Sequence, residues 1–392
     1  MAGLGWGGSI ATAVGVAAGA GAAQLGFGYG LGIINWTAAD ATAGEAVWVA
    51  GLAWSTWIAG TSTVAGAVCA QRLRQPVSAG RDELLASPAP ESVTVGADAT
   101  VDPSSPAGGR TARPRGDGGP GTAVVLALAG AVGALLTVLL VAVPARAASL
   151  PGGSAPQTVA ACYAGVGLLV GLLAAVWALR SPAAATNVIA TVGWLWGLAV
   201  VAVLDDVLSG RGLTSAQLGI WQLGADSPSL WIRDWFYWPG ALLALGSAAL
   251  IGALAARRAA RSPQRRLGAA ASGAAGPLLV ALAYLLAAPG LTAIGREQVS
   301  AHLVAPYAVV AGFAGSMLTA ALAQRAAHRR PDAPVAIPRQ RTGAADDATT
   351  AQAPGSAGSN KPPEPDGSGP AGTAGQSTGQ VCTGSLPRWS SA

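Results

Sequence analysis

The chain has 392 residues, of which 52% are hydrophobic and 10% are charged, and its formal net charge is +5. This composition and the mean hydropathy of +0.46 exclude a soluble globular domain of this length and indicate a membrane protein. The three cysteines, Cys69, Cys162 and Cys382, are odd in number and far apart, so they predict neither a disulfide framework nor a metal cluster. No motif in the chain predicts a cofactor.

Eight apolar runs follow one another along the chain, each close to the ~20 residues that a helix needs to cross a bilayer. None contains Asp, Glu, Lys or Arg, and the absence of polar and apolar alternation disfavours a transmembrane β-barrel. The first run lacks the basic segment of a signal peptide, which predicts an uncleaved span. We therefore predict an all-α, polytopic transmembrane helical bundle of about eight spans, at Ser9–Ile34, Ala46–Ala70, Thr122–Val143, Thr158–Leu179, Ala185–Leu204, Pro239–Ala256, Ser272–Ala293 and Leu303–Ala323.

The charged residues between these runs predict the topology. With the N-terminus in the cytoplasm, all but four of the 23 basic residues fall in cytoplasmic segments, as the positive-inside rule requires. The outer loops keep only Arg146, Arg211, Arg233 and Arg296. The net positive charge therefore indicates the orientation of the chain in the membrane and does not indicate nucleic-acid binding. We predict a multi-pass protein of the cell membrane with both termini in the cytoplasm.

Two cytoplasmic segments separate or follow the membrane helices. Residues 76–120 lie between helices 1 and 2 (residues 1–71) and helices 3 to 8 (residues 122–323), and a tail covers residues 331–392. Both segments are rich in Pro and Gly and poor in large apolar residues, which predicts disorder. The alternative is that they bind a protein partner and become ordered on binding.

Few polar side chains interrupt the apolar runs, and none of them is ionisable. The strongest are Gln24 in the first run, Thr56 in the second and Asn187 in the fifth. We interpret each as an interhelical hydrogen bond in preference to a substrate contact. The absence of buried charge argues against an ion-coupled carrier.

A carboxylate pair, Asp205 and Asp206, ends the fifth run, where it faces the negative end of the helix dipole. Paired acids at the outer surface could act as a general base or bind a metal. Glu297 and His302 are predicted on the same face, so a composite polar site is one hypothesis. The alternative is ordinary polarity at the membrane surface.

The segment LWIRDWFYWPG, residues 230–240, concentrates aromatic rings before the sixth run. On a helical wheel, Trp231, Trp235 and Trp238 share one face and Arg233 lies opposite. We therefore predict a short interfacial helix near 228–238 that anchors the outer surface in the bilayer. The alternative is a platform on which a substrate stacks.

Both GWGGSIATAVGVAAGAGAAQLGFGYGLGIINW and WIRDWFYWPGALLALGSAALIGALAARRAAR resemble segments of actinobacterial multi-pass membrane proteins. The resemblance implies a membrane location and no activity. Three function classes stay open: a small-molecule or lipid carrier or the membrane subunit of one, a non-catalytic scaffold that recruits partners through its cytoplasmic segments, and an extracytoplasmic enzyme that uses Asp205 and Asp206. The lipid bilayer is the one predicted partner common to all three, and the sequence predicts no oligomeric state.

Overall fold

The computed structural model describes residues 5–37, 44–74, 120–148, 155–210, 217–219, 227–287 and 295–329. These residues are 87% helical, which confirms the predicted all-α bundle. The segments predicted to be disordered, 331–392 and all but the last residue of 76–120, lie outside the described residues. The helices are α1 (Trp6–Gly30), α2 (Gly44–Arg74), α3 (Pro120–Ala145), α4 (Pro156–Arg180), α5 (Pro182–Leu208), α6 (Trp238–Ala259), α7 (Arg266–Ala271), α8 (Ala275–Leu286) and α9 (Arg296–His328).

Seven helical segments are long and apolar enough to cross a membrane. They include six single helices, together with the segment Pro263–Leu286, which contains both α7 and α8. The protein is therefore a multi-pass membrane protein. The helix α2 is as long as these segments but less apolar, and it packs against α1, α3 and α4. It corresponds to the predicted span Ala46–Ala70, but it is not one of the seven segments that are apolar enough to cross a membrane by composition.

The position of α2 explains its composition. Every residue from Trp48 to Ala70 is buried except Ala65 and Cys69, which makes α2 the central helix of its neighbourhood. Burial keeps its hydroxyl groups from lipid, and four of them donate to carbonyl groups one turn earlier in the same helix. The donors include Ser55 to the Gly51 oxygen at 2.7 Å and Thr63 to the Ala59 oxygen at 2.9 Å.

The spans pack in two groups of four. The helices α1 to α4 form the first group, and α5 to α9 form the second, with α7 and α8 acting as one span. In the first group α2 packs closely on α4, and in the second group α6 packs closely on α9. By contrast, α1 makes almost no contact with α4, and α5 makes almost none with α9. The groups meet where α5 and α8 lie against α2 and α4. The same order of packing therefore occurs twice along the chain.

Glycines allow the closest helix contacts in both groups. A methyl group built on Gly171 of α4 would lie 2.5 Å from the Cα of Gly60 in α2. In the second group, a methyl group on Gly252 of α6 would lie 2.3 Å from the backbone oxygen of Gly312 in α9. Small residues let two backbones approach in this way, and in lipid such van der Waals contact is a main source of helix association.

We expect Gly171→Ala to destabilise the protein by about 1–3 kcal/mol, because the added methyl group must push α4 away from α2. Gly165→Ala on the same helix is the matched control, since nothing lies within 4 Å of its added methyl group. Thermal unfolding of the purified protein in detergent measures both variants. Equal melting temperatures for the two variants would contradict the close contact.

The seventh span differs from its prediction as one continuous helix at Ser272–Ala293. It begins with a 3₁₀ turn at Pro263–Arg265, continues as α7, passes through a second 3₁₀ turn at Ser272–Ala274 and resumes as α8. Ser272, Gly273, Gly276 and Pro277 explain the break, because Ser and Gly weaken a helix and Pro lacks the N–H that an interior position donates.

The interfacial helix predicted near 228–238 is wrong. Only Pro228–Leu230 forms a 3₁₀ turn, and the chain then makes a two-stranded antiparallel hairpin of β1 (Trp231–Ile232) and β2 (Phe236–Tyr237). Arg233 and Asp234 form its turn with φ of 55° and 59°, the left-handed region that Asp tolerates better than most residues. Aromatic and β-branched residues favour strands, and this preference overrides the helical spacing. Of the three tryptophans, Trp238 alone is helical, as the first residue of α6.

Charge divides the bundle into two ends. All five described acids are near one end, which we call the acidic end: Glu45, Asp205, Asp206, Asp234 and Glu297. Ten arginines are near the opposite, basic end: Arg72, Arg74, Arg180, Arg257, Arg258, Arg261, Arg265, Arg266, Arg325 and Arg329. This division follows from the alternating direction of successive helices.

Candidate functional site

The break in the seventh span lies beside side chains from two neighbouring helices. The backbone N–H of Gly276 donates to Oδ1 of Asn187 in α5 at 2.7 Å. The backbone N–H of Gly273 donates to Oγ of Ser316 in α9 at 3.2 Å, and that hydroxyl donates to the Ala270 oxygen. A break in a membrane helix frees backbone groups that lipid cannot satisfy, so these two side chains compensate for it.

A cleft of about 50 Å³ opens next to this break, between α5, α6, α8 and α9. That volume holds several water molecules or one small group of a ligand. Its walls are mostly apolar, and its polar lining includes the hydroxyl groups of Thr191 and Ser247. The lining residues are Thr191, Trp194, Leu195, Gly219, Ala244, Ser247, Ala248, Ile251, Pro277, Val280 and Ala308.

Two buried polar atoms near the cleft have no hydrogen-bond partner among the described residues. They are Oγ1 of Thr191, which lines the cleft, and Nδ2 of Asn187, one helical turn away. An unsatisfied buried polar atom costs about 1–3 kcal/mol. Thr191 also packs directly on the break, since a methyl group on Gly276 would collide with its hydroxyl. The break, the cleft and the unpaired atoms therefore form one site.

We expect Asn187→Leu to destabilise the protein by about 1–3 kcal/mol, because it leaves the Gly276 N–H without an acceptor in an apolar surrounding. Thr186→Ala, on an exposed position of the same helix, is the control and should change stability little. Chemical or thermal unfolding in detergent compares the two. A stable Asn187→Leu variant would show that the break does not depend on this hydrogen bond.

Gln24 is the centre of a polar network that joins the two groups of helices. Its Nε2 donates to Ser62 at 3.1 Å, and its Oε1 accepts from Thr61 at 3.4 Å and from Nε1 of Trp196 at 3.0 Å. Trp196 belongs to α5, whereas the other residues belong to α1 and α2. Its ring also contacts Trp54 at a centroid distance of 5.0 Å. Gln24 therefore joins α1 to α2 and α5 through side-chain hydrogen bonds.

Thr56 joins two helices within the first group. Its hydroxyl donates to the Leu52 oxygen at 2.9 Å and lies 3.3 Å from the Tyr163 oxygen in α4. A methyl group on Gly167 would collide with the Thr56 backbone, so α2 and α4 touch here too. The hydrogen bonds of Thr56 indicate a structural role.

The four residues of the predicted composite polar site do not gather into a metal centre. No group of three or more His, Cys, Asp or Glu able to hold a metal occurs within the part of the chain that the structure describes. Asp205 and Asp206 are half-buried at the end of α5, and each takes part in an interaction within the structure. Glu297 pairs with the neighbouring Arg296 at 3.2 Å.

The aromatic residues of the hairpin play different parts. Trp231 is 8% exposed, stacks on Tyr237 at 5.3 Å and lies under the guanidinium group of Arg296 at 4.6 Å. Burial raises the pKa of the Tyr237 hydroxyl, so the ring stays neutral. Trp235 is 65% exposed and Trp238 is 40% exposed. Trp235 and Trp238 thus remain available as interfacial anchors, while Trp231 attaches the hairpin to α9.

The first turns of α9 carry Gln298 and Ser300, two polar residues that no sequence pattern predicted as part of a site. On one face, Arg296 covers Trp231, and Ser300 accepts from the Tyr237 N–H at 3.0 Å. On the opposite face, the His302 ring packs edge-on against Tyr284 at 5.0 Å, and its Nδ1 lies 2.7 Å from the Gln298 backbone oxygen. Gln298 and His302 are four residues apart, and this spacing places both on one helix face. The spacing could have indicated from the sequence that the two residues lie together.

No protein-family model matches the chain, and comparison with curated proteins and with solved structures finds no match either.

Proposed function

We propose that the protein is a membrane carrier, or the membrane subunit of one, for a small neutral or amphiphilic molecule that binds at the break in the seventh span. The observation that carries this proposal is the interrupted helix itself, held by Asn187 and Ser316 beside a cleft with the unpaired hydroxyl of Thr191. Interrupted helices are typical of substrate sites in carriers.

The packing of the helices supports a moving part. Two groups of four spans with the same packing order resemble the two-part organisation on which alternating access depends. The hydrogen bond from Trp196 to Gln24 connects these groups and would hold them in the present arrangement. The site has no ionisable side chain among the lining residues, which favours a neutral ligand over an ion.

The other two function classes have less support. An enzyme that uses Asp205 and Asp206 has no described cluster of catalytic or metal-binding groups beside it. Recruitment of a partner by the segments 76–120 and 331–392 concerns residues that are almost all outside the described part of the chain. The carrier is the class for which the described residues provide a site.

We expect alternating access to expose the cleft to each side of the membrane in turn. In a cysteine-free background, Ser247→Cys should react with a charged maleimide added from either side, because Ser247 lines the cleft. Leu250→Cys on the lipid-exposed face of the same helix is the control and should react from neither side.

Adding Gly276→Ala should lower the Ser247→Cys reactivity at least several-fold, because the methyl group collides with Thr191 and displaces α8. Gly246→Ala, with nothing within 4 Å of its methyl group, should have no such effect. A Ser247→Cys thiol that stays unreactive from both sides would refute the carrier.

We also propose that the protein lies in the cell membrane with its basic end, and hence both termini, in the cytoplasm. The positive-inside rule supports this orientation, since ten of the described arginines are at that end.

In intact cells, an impermeant maleimide should label Trp235→Cys at the hairpin. It should label Leu267→Cys, 89% exposed at the basic end, only after the membrane is permeabilised. The reverse pattern would invert the proposed topology.

A further inference from the structure

A second set of unpaired polar atoms lies near the acidic end, apart from the cleft. The atoms are both amide atoms of Gln298, Nε2 of His302 and Oε1 of Gln217. Gln298 is 1% exposed, so its whole carboxamide is buried without a partner among the described residues. Native proteins rarely leave such groups unsatisfied, so these atoms are candidates for hydrogen bonds to a polar ligand.

The hydrogen bonds of His302 determine what its free nitrogen can do. Its Nδ1 lies 2.7 Å from the Gln298 backbone oxygen, which can only accept, so Nδ1 carries the proton. In the neutral ring, Nε2 is then a bare acceptor. The set therefore offers three acceptors, on His302, Gln298 and Gln217, and one donor, the Gln298 amide.

This set matches hydroxyl groups better than other ligands. Each hydroxyl donates one hydrogen bond and accepts others, so a polyol satisfies both the acceptors and the amide donor. An ammonium group donates only and would leave the Gln298 amide unpaired. A phosphate or carboxylate would bring a negative charge to a set dominated by acceptors.

The polar set lies next to one end of the cleft. Tyr284, against which His302 packs, donates to the backbone oxygen of Leu218, and the next residue, Gly219, lines the cleft. Along α8, Tyr284 is one turn beyond Val280 and two turns beyond Pro277, both of which line the cleft. At 1.5 Å per residue, Tyr284 is about 10 Å from the break.

We propose that Gln298, His302 and Gln217 bind the polyhydroxyl headgroup of a neutral lipid, with one small apolar group of that lipid in the cleft. This inference rests on the proposed carrier function and specifies its ligand. In the present arrangement the polar atoms are enclosed, so the headgroup enters when the first turns of α9 move away from Tyr284. The ligand is a neutral glycolipid, in which sugar hydroxyls supply the hydrogen bonds.

The test uses the purified full chain in phosphatidylcholine nanodiscs, with glucosyl diacylglycerol as the probe and diacylglycerol as the probe without sugar. Binding is measured by native mass spectrometry, and stability by thermal unfolding. The wild-type protein should bind the glycolipid at least about tenfold more tightly than diacylglycerol. Equal binding of the two lipids by the wild-type protein would overturn the inference.

Gln298→Leu should remove most of this preference, and it should raise the melting temperature of the lipid-free protein, because it replaces two unpaired buried atoms by an apolar side chain. A purely structural role for Gln298 would lower that melting temperature instead. His302→Phe keeps the ring contact with Tyr284 and should also weaken glycolipid binding. Glu297→Gln, on an adjacent partly exposed position, is the control and should change neither measurement.

Ala248→Phe, which fills the cleft, separates the two proposals. Loss of both lipids in this variant, with unchanged glycolipid preference in Gln298→Leu, would refute the headgroup site and leave the carrier intact. Absence of binding of either lipid to the wild-type protein would refute the headgroup site, whereas the reactivity of Ser247→Cys would still decide the carrier.

Discussion

Every polar backbone group of a membrane span must find its partner inside the protein, because lipid offers none. Most of this structure meets that requirement with unbroken helices. The seventh span does not, and the residues around it are arranged to compensate for the break. Asn187 and Ser316 reach in from α5 and α9 to accept the freed N–H groups of Gly276 and Gly273. The cleft forms beside the break, where Pro277 contributes to its wall.

Close backbone contact is the second constraint on the fold. Gly60 with Gly171 and Gly252 with Gly312 bring helices together in equivalent positions of the two groups. Without a hydrophobic force between helices in lipid, these contacts and a few hydrogen bonds must hold the groups. The two groups are also connected by polar contacts, such as the hydrogen bond that Trp196 donates to Gln24. Movement of one group against the other would break few such bonds.

The sequence predicted the helices and the division of charge well, because hydropathy and the placement of arginines act along the whole chain. It failed at two local points. In 231–237, spacing suggested a helix, but the strand preference of Trp, Ile, Phe and Tyr and the left-handed turn at Arg233 and Asp234 produce a hairpin. At Ser272–Ala274, the apolar run concealed a break whose stability depends on residues far away in the chain.

The candidate site was only partly predictable from the sequence, because it too depends on residues that are far apart in the chain. Asn187 stood out as a polar residue in an apolar run, and His302 as a residue predicted on the same outer face as Glu297. Neither residue predicted its contacts with other helices, which are the Gly276 N–H beside Asn187 and the Tyr284 ring beside His302. Thr191 and Gln298 gained importance only through the absence of a hydrogen-bond partner, which no sequence pattern reveals.

The burial of α2 has a consequence for how the protein is made. An isolated helix with seven tryptophan, serine or threonine side chains from Trp54 to Thr63 gains less from lipid than its neighbours do. Its favourable surroundings are α1, α3 and α4, and two of these are synthesised after it. We therefore expect α2 to reach its final buried position only after α4 emerges and offers Gly167 and Gly171 as its packing surface.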